Sequence, residues 1–191
     1  VILTKVLHRA KELYGKGYPF KREPIHFLSL FAENVTLEEY IGLDENVVMY
    51  YFQEWENEED EILSDLCSRF VNRRLFKYVE FHPASGMQKI MELTALFKKA
   101  GIDHTYYLVI DHSSDLPYDF YRPGEEEERL PIHLLKKNGE IKELSRESDI
   151  VDAITGKRRT DHKLYYPEDF LLDESSKKKV KRQIRALLDS M

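Results

Sequence analysis

The sequence predicts an α+β fold, with a helical first part, a small α/β subdomain and a C-terminal amphipathic helix. Three observations carry this. Apolar residues recur at helical spacing as far as Phe70; the period shortens to that of strands from Leu75; and the last residues return to a helical stripe flanked by lysine and arginine. The boundaries that follow are 1–72 for the helical part, 73–171 for the α/β part and 172–191 for the basic helix. With 191 residues, 42% hydrophobic and 34% charged, the chain is long enough to bury a core and is not a disordered tail. No apolar run reaches membrane-spanning length and no signal-peptide pattern is present, so a soluble protein without a membrane partner is expected. The formal net charge of -6 argues against wholesale nucleic-acid binding but leaves room for a local basic patch. Cys67 is the sole cysteine and can form no internal disulfide, which fits a reducing cytoplasm.

The elements follow in order. Ile2, Leu3, Val6, Leu7, Ala10, Leu13 and Tyr14 trace one face of an opening helix, which the run from Gly15 to Pro19 breaks. Pro24 opens a second apolar segment through Ile25, Phe27, Leu28, Leu30 and Phe31. Thr36 and Glu39 have capping-box spacing for a short helix. Val47, Val48, Tyr51, Phe52 and Trp55 repeat at helical spacing, with Trp55 expected in the core. After an acidic loop, Ile62, Leu63, Leu66, Cys67 and Phe70 mark another helix, with Cys67 on its apolar face as a small buried hydrophobe.

Beyond Leu75, Ser85 and Gln88 form a second capping-box pattern, for a helix facing the core with Ile90, Leu93 and Phe97 and ending at Gly101. Residues 105–110 have the composition of a strand. Residues 117–129 read as a long loop, a lid or a disordered segment, with Glu125 to Glu128 as its solvated tip. Asn138-Gly139 is the strongest hairpin signal, flanked by extended segments at 132–137 and 140–144. Ser148 can cap a short helix through Ile150, Val151 and Ile154, and 162–166 returns a strand. Strand, helix, strand, hairpin, helix, strand resembles a ferredoxin-like α/β sandwich. Thr155-Gly156-Lys157-Arg158-Arg159-Thr160 lacks the earlier glycine of a phosphate loop and reads as a charged turn. In the final helix Val180, Ile184, Leu187, Leu188 and Met191 form a stripe, surrounded by Lys177, Lys178, Lys179, Lys181, Arg182 and Arg185. Lysines in a helix's first turn oppose its dipole. A solvated face accounts for them, and so does an anionic partner that offsets the local cost.

The run Asn72-Arg73-Arg74-Leu75-Phe76-Lys77-Tyr78 stands where the helical period gives way to the strand period. If the backbone is already extended there, Arg73, Leu75, Lys77 and Val79 project together, and two cations flank one apolar side chain. Such a surface suits a nucleoside triphosphate, with guanidinium and ammonium on phosphate oxygens and Leu75 against base or sugar. An exposed strand start with solvated cations fits the same residues.

The stretch from Ile62 to Val79, and its Arg-x-Leu-Phe-Lys-Tyr core above all, resembles the segment just beyond the catalytic core of HD-domain deoxynucleoside triphosphate triphosphohydrolases. The likeness continues more weakly through Tyr40 to Asn46 and to the region of Leu130, Pro131 and Ile132. It implies that residues 1–72 are the remainder of an HD-type helical bundle, and that Arg73, Leu75 and Lys77 line an allosteric site for a dNTP or GTP-type effector between subunits. It also implies a parent enzyme, a metal-dependent homo-oligomer assembled as a tetramer, that cleaves dNTPs to deoxynucleoside and triphosphate.

The family's chemistry uses a His, an adjacent His-Asp pair and a later Asp to hold a divalent metal that activates water. No histidine of this chain precedes an aspartate; Asp103-His104, Asp111-His112 and Asp161-His162 have the reverse order. No catalytic residue and no metal ligand is therefore assigned here, and the chain alone is expected to be inactive. The chain begins at Val1, already within an amphipathic pattern, which leads to the expectation that it is the C-terminal, regulatory and oligomerising part of a longer protein. The alternative is a stand-alone nucleotide- or RNA-binding module of ferredoxin-like fold. Against it, Leu75, Lys77 and Val79 are not the exposed aromatics on which RNA-binding sheets stack bases.

Overall fold

The computed structural model describes residues 1–115, 132–154, 159–172 and 176–191. The architecture is α+β with a small antiparallel sheet and a C-terminal helix, as expected. The chain divides into two compact units, Val1–Asp111 with Lys163–Met191, and His112–His162. The basic helix belongs to the first unit. The 117–129 loop and residues 155–158 of the charged turn lie outside the described residues. No helix among the described residues is long and apolar enough to cross a membrane.

In the first unit, α1 (Ile2–Gly15) buries Ile2, Val6, Ala10 and Leu13. It packs on α5 (Glu61–Val71), which buries Leu63, Leu66 and Cys67. Asp60 joins the two helices. Its carboxylate accepts the Leu63 amide at 2.8 Å as the N-cap of α5 and takes a two-pronged bond from the Arg9 guanidinium at 3.0 and 2.6 Å. Burial alone would push this carboxyl up, but the hydrogen bond from Arg9 prevails and lowers it. Between them, α2 (Leu28–Phe31) and α4 (Glu45–Trp55) close the core with Phe27, Phe31, Tyr51, Phe52 and Trp55. Trp55 is fully buried, as expected, and its indole nitrogen has no hydrogen-bond partner among the described residues. The Thr36–Glu39 capping box forms with both reciprocal bonds, yet the helix it starts, α3 (Leu37–Ile41), buries nothing.

Strand β1 (Lys77–Glu80) pairs antiparallel with β5 (Arg159–Tyr166), bringing Tyr78 opposite Tyr165 and Val79 opposite Leu164. With β2 (Val109–Asp115) the sheet order is β1-β5-β2. Helix α6 (Pro83–Ala100) starts three residues earlier than its Ser85–Gln88 pattern suggested, with Pro83 in its first turn and His82 as N-cap. Proline's fixed φ is preorganised for the first helical position, and this outweighs the serine cap. At Gly86 a Cβ would lie 2.6 Å from the Phe81 ring, so glycine permits the close approach of α6 to the residue that follows β1. Residues 105–110 are not one strand. Asp103 accepts the Thr105 amide at 2.9 Å and starts a helical turn, α7 (His104–Tyr107), which buries Tyr106 and Tyr107 before β2 begins. The β propensity of Thr-Tyr-Tyr yields to a cap and to burial of two rings.

Two further helices complete the first unit. The short α9 (Glu168–Leu172) had no sequence expectation. Then α10 (Lys178–Asp189) buries Ile184 and Leu188 against α6 and α9, with Val180, Leu187 and Met191 partly covered. Lys181, expected on the solvated face, is buried.

In the second unit, β3 (His133–Leu135) and β4 (Ile141–Glu143) form the expected hairpin, with Gly139 at φ +83 where its turn requires glycine. The hairpin makes its own two-stranded sheet rather than a fourth strand beside β2. Ser148 caps α8 (Asp149–Ile154) through the Val151 amide at 3.4 Å.

Candidate functional site

The 73–77 segment is mounted on the end of α5 by two devices. The first is backbone geometry. The Arg74 amide donates to the Arg69 carbonyl at 2.9 Å and the Arg73 amide to the Phe70 carbonyl at 3.3 Å, the paired bonds of a Schellman motif. That motif requires one left-handed residue, and Arg73 takes the position at φ 54. The extended backbone assumed for Arg73 therefore does not exist. Regular strand begins only at Lys77, so alternation does not place Arg73 on one face with Leu75, Lys77 and Val79. The helix must stop before the strand can start, and the stop consumes Arg73.

The second device is Arg69, whose side chain is only 1% exposed. Its Nε donates to Asp65 at 2.7 Å, and both terminal nitrogens donate to the Asp169 carboxylate at 2.8 Å each. The guanidinium lies over the rings of Phe170, at 4.5 Å, and Phe76, at 5.9 Å. Tyr107 Oη closes the network by donating to Asp65 at 2.9 Å. Burial by itself would lower the Arg69 pKa, yet its hydrogen bonds to Asp169 and Asp65 raise it. Burial likewise opposes ionisation of Asp169, but Arg69 overrides it and holds the carboxyl below the ordinary range. The Tyr107 hydroxyl is pushed up by burial and then by the charge of Asp65. The result is an ionised, bidentate lock joining α5 to α9 beneath the segment.

Above the lock, side chains sort by burial. Phe76 is buried and packs on the Tyr107 ring at 6.1 Å, anchoring the middle of the run. Arg73, Leu75 and Lys77 are exposed, Leu75 at 61%. Arg74 reaches back to the Ser68 hydroxyl at 3.1 Å and to Asp169 at 3.9 Å. The side chains of Arg73 and Lys77 have no hydrogen-bond or ion-pair partner among the described residues. Two unpartnered cations and one apolar side chain thus stand at the surface of a rigidly held turn. No hydrogen bond joins the Arg73 and Lys77 side chains among the described residues; what Arg73, Leu75 and Lys77 share is accessibility.

Of the reversed Asp-His pairs, Asp103 serves as the cap of α7 while Asp111 and His112 lie on β2. Among the described residues no three His, Cys, Asp or Glu side chains converge. Cys67 is buried, and burial followed by the charges of Glu56 and Glu58 pushes its thiol up, so it packs as a hydrophobe and is not activated. Sequence reasoning missed Arg69 and Asp169. The i,i+4 spacing of Asp65 and Arg69 was a usable signal; Asp169, about a hundred residues away in sequence, offered none.

No family model matches the sequence. The Bacillus subtilis (strain 168) protein YwfO is 65% identical over 188 residues, covering 98% of this chain and 43% of that protein. A crystal structure of a phosphohydrolase from Bacteroides thetaiotaomicron superposes with a TM-score of 0.62 at 27% identity, over 86% of this chain and 43% of that one. The chain shares its fold with part of a phosphohydrolase, and it spans less than half the length of both proteins.

Proposed function

We propose that this chain is the regulatory and assembly part of a longer dNTP triphosphohydrolase, and that Arg73, Leu75 and Lys77 form its effector-nucleotide surface. The observation that carries the proposal is the pair of unpartnered cations flanking an exposed leucine, held on a locked helix end in a phosphohydrolase-like fold. Arg73 would take two phosphate oxygens with its planar fork and Lys77 would act as a point charge on the same triphosphate. Leu75 would cover base or sugar, and the Arg69 lock would keep the turn from reorganising when the charges are neutralised. Preorganisation of this kind lowers the cost of binding.

The parent would be a cytoplasmic homo-oligomer, a tetramer, that cleaves dNTPs to deoxynucleoside and triphosphate. The divalent metal of that chemistry would activate water elsewhere in the parent. This chain does not offer the His, His-Asp and Asp ligand set, and no hydrolytic step is assigned to its residues. The test is sedimentation of the longer protein with and without dGTP. Nucleotide should drive wild type to the larger assembly, and Arg73→Ala should shift it toward smaller species at the same nucleotide concentration, because a ligand that favours the assembly stabilises it by mass action. An assembly indifferent to nucleotide in both proteins would reject the proposal.

A second reading, a nucleotide- or RNA-binding module, has one observation in its favour. On the sheet face opposite Lys77, half-exposed Tyr78 meets Tyr165 at 5.6 Å, with the Lys163 ammonium 5.1 Å from its ring. Exposed aromatics beside a cation can stack bases. Titration with single-stranded RNA separates the readings: Tyr78→Ala should abolish binding under the second and leave dGTP binding unchanged under the first.

A further inference from the structure

The second unit holds a pair of histidines that the effector surface does not involve. His112 on β2 and His162 on β5 come from neighbouring strands, and their Nδ1 atoms lie 2.7 Å apart. The rings meet edge to face, with centroids 4.8 Å apart at 76°. His112 is exposed and His162 half-buried, so the pair is open to solvent while its rings are carried by paired backbone.

We propose that His112 and His162 form a two-imidazole chelate for a divalent transition metal such as Ni²⁺, Cu²⁺ or Zn²⁺. An ion bonded to two imidazole nitrogens at about 2.05 Å, with a right angle between the bonds, sets those nitrogens about 2.9 Å apart, and a tetrahedral angle sets them about 3.3 Å apart. The observed 2.7 Å separation is close to the first value, and each ring must also turn so that its Nδ1 lone pair points at the ion rather than along the line between the two nitrogens. At such a distance between neutral imidazoles, one Nδ1 donates its proton and the other accepts. Metal entry breaks that hydrogen bond, moves the donor ring's proton through water from Nδ1 to Nε2, and forms two N–metal bonds, with no net change in charge on either ring. Imidazole is a preferred ligand for all three ions. Strand alternation turns Asp111 away from His112, so that carboxylate adds to the local field without occupying a coordination position. Water fills the positions left open, and the chelate clasps β2 to β5 where the second unit begins and ends.

The test uses the metal alone. Calorimetric titration of the 191-residue chain with Ni²⁺ should give one site of unit stoichiometry, weakened at least tenfold in His112→Asn and in His162→Asn but unchanged in His133→Asn. Circular dichroism of each variant checks that the fold is kept. A measurement on wild type alone decides the matter if a variant fails to fold. Substoichiometric Ni²⁺ should broaden the imidazole proton signals of His112 and His162 before those of His8, His26, His82, His104 and His133. Equal affinity in wild type and both variants, absence of binding, or earlier broadening at another histidine would each overturn the proposal.

Discussion

Arg69 and Arg73 stand one helical turn apart and meet opposite fates. Arg69 is buried, paired with two carboxylates and covered by two aromatic rings; Arg73 sits in a left-handed turn with no partner among the described residues. Removing a cation from water costs several kcal/mol unless good geometry and hydrogen bonds repay it, and at Arg69 both terminal nitrogens and Nε are used. Nothing of the kind constrains Arg73 or Lys77. The contrast separates charge that builds the surface from charge that the proposed effector would use.

Deleting the buried charge should have the largest effect. Arg69→Met should destabilise by about 3–5 kcal/mol in denaturant unfolding, since it leaves Asp65 without its cation and Asp169 with only the distant Arg74 at 3.9 Å. Nucleotide affinity should fall with it because the turn loses its mount. Asp169→Asn should cost less, about 1–2 kcal/mol, because this carboxylate is 49% exposed and partly screened by water. Its pH dependence has a definite sign. The Asp169 carboxyl is lowered in the folded protein, so its contribution is complete above the ordinary carboxylate range and is lost as pH falls through the lowered value. Urea midpoints measured toward acid should therefore fall less steeply in Asp169→Asn than in wild type. The smallest effect has the opposite direction. Arg73→Gly should raise stability by about 0.5–1 kcal/mol, since glycine adopts the left-handed conformation without the Cβ clash, while nucleotide binding weakens. A variant that gains stability and loses affinity would show that the arginine is kept for its charge.

How much of this was legible depended on the range of the interaction involved. Helices α1, α4 and α5 were readable because their apolar periods coincide with one packed core, and the β3–β4 turn because Asn138-Gly139 satisfies its own backbone. The cap of α3 was readable too, but the cap fixed only where the helix starts, and Leu37 remains 74% exposed. Residues 105–110 misled because Thr, Tyr, Val and Ile favour strands, whereas burial of Tyr106 and Tyr107 requires a helical turn. At the candidate surface Arg73, Leu75 and Lys77 were named from a local run and a family resemblance. Their exposure fits that run, but the backbone assumed for Arg73 was wrong. The lock beneath them depends on Asp169, which comes close only once the chain has folded back through β5.

The most direct test is equilibrium binding of dGTP to the longer parent protein, comparing wild type with Lys77→Ala. Loss of one charge-assisted phosphate contact, typically about 1.5–3 kcal/mol, predicts an affinity weakened on the order of ten- to a hundredfold, with an unchanged melting temperature because the Lys77 side chain is exposed and has no partner among the described residues. The same affinity in Lys77→Ala as in wild type would contradict the account and leave the cations of this turn as a solvated strand end.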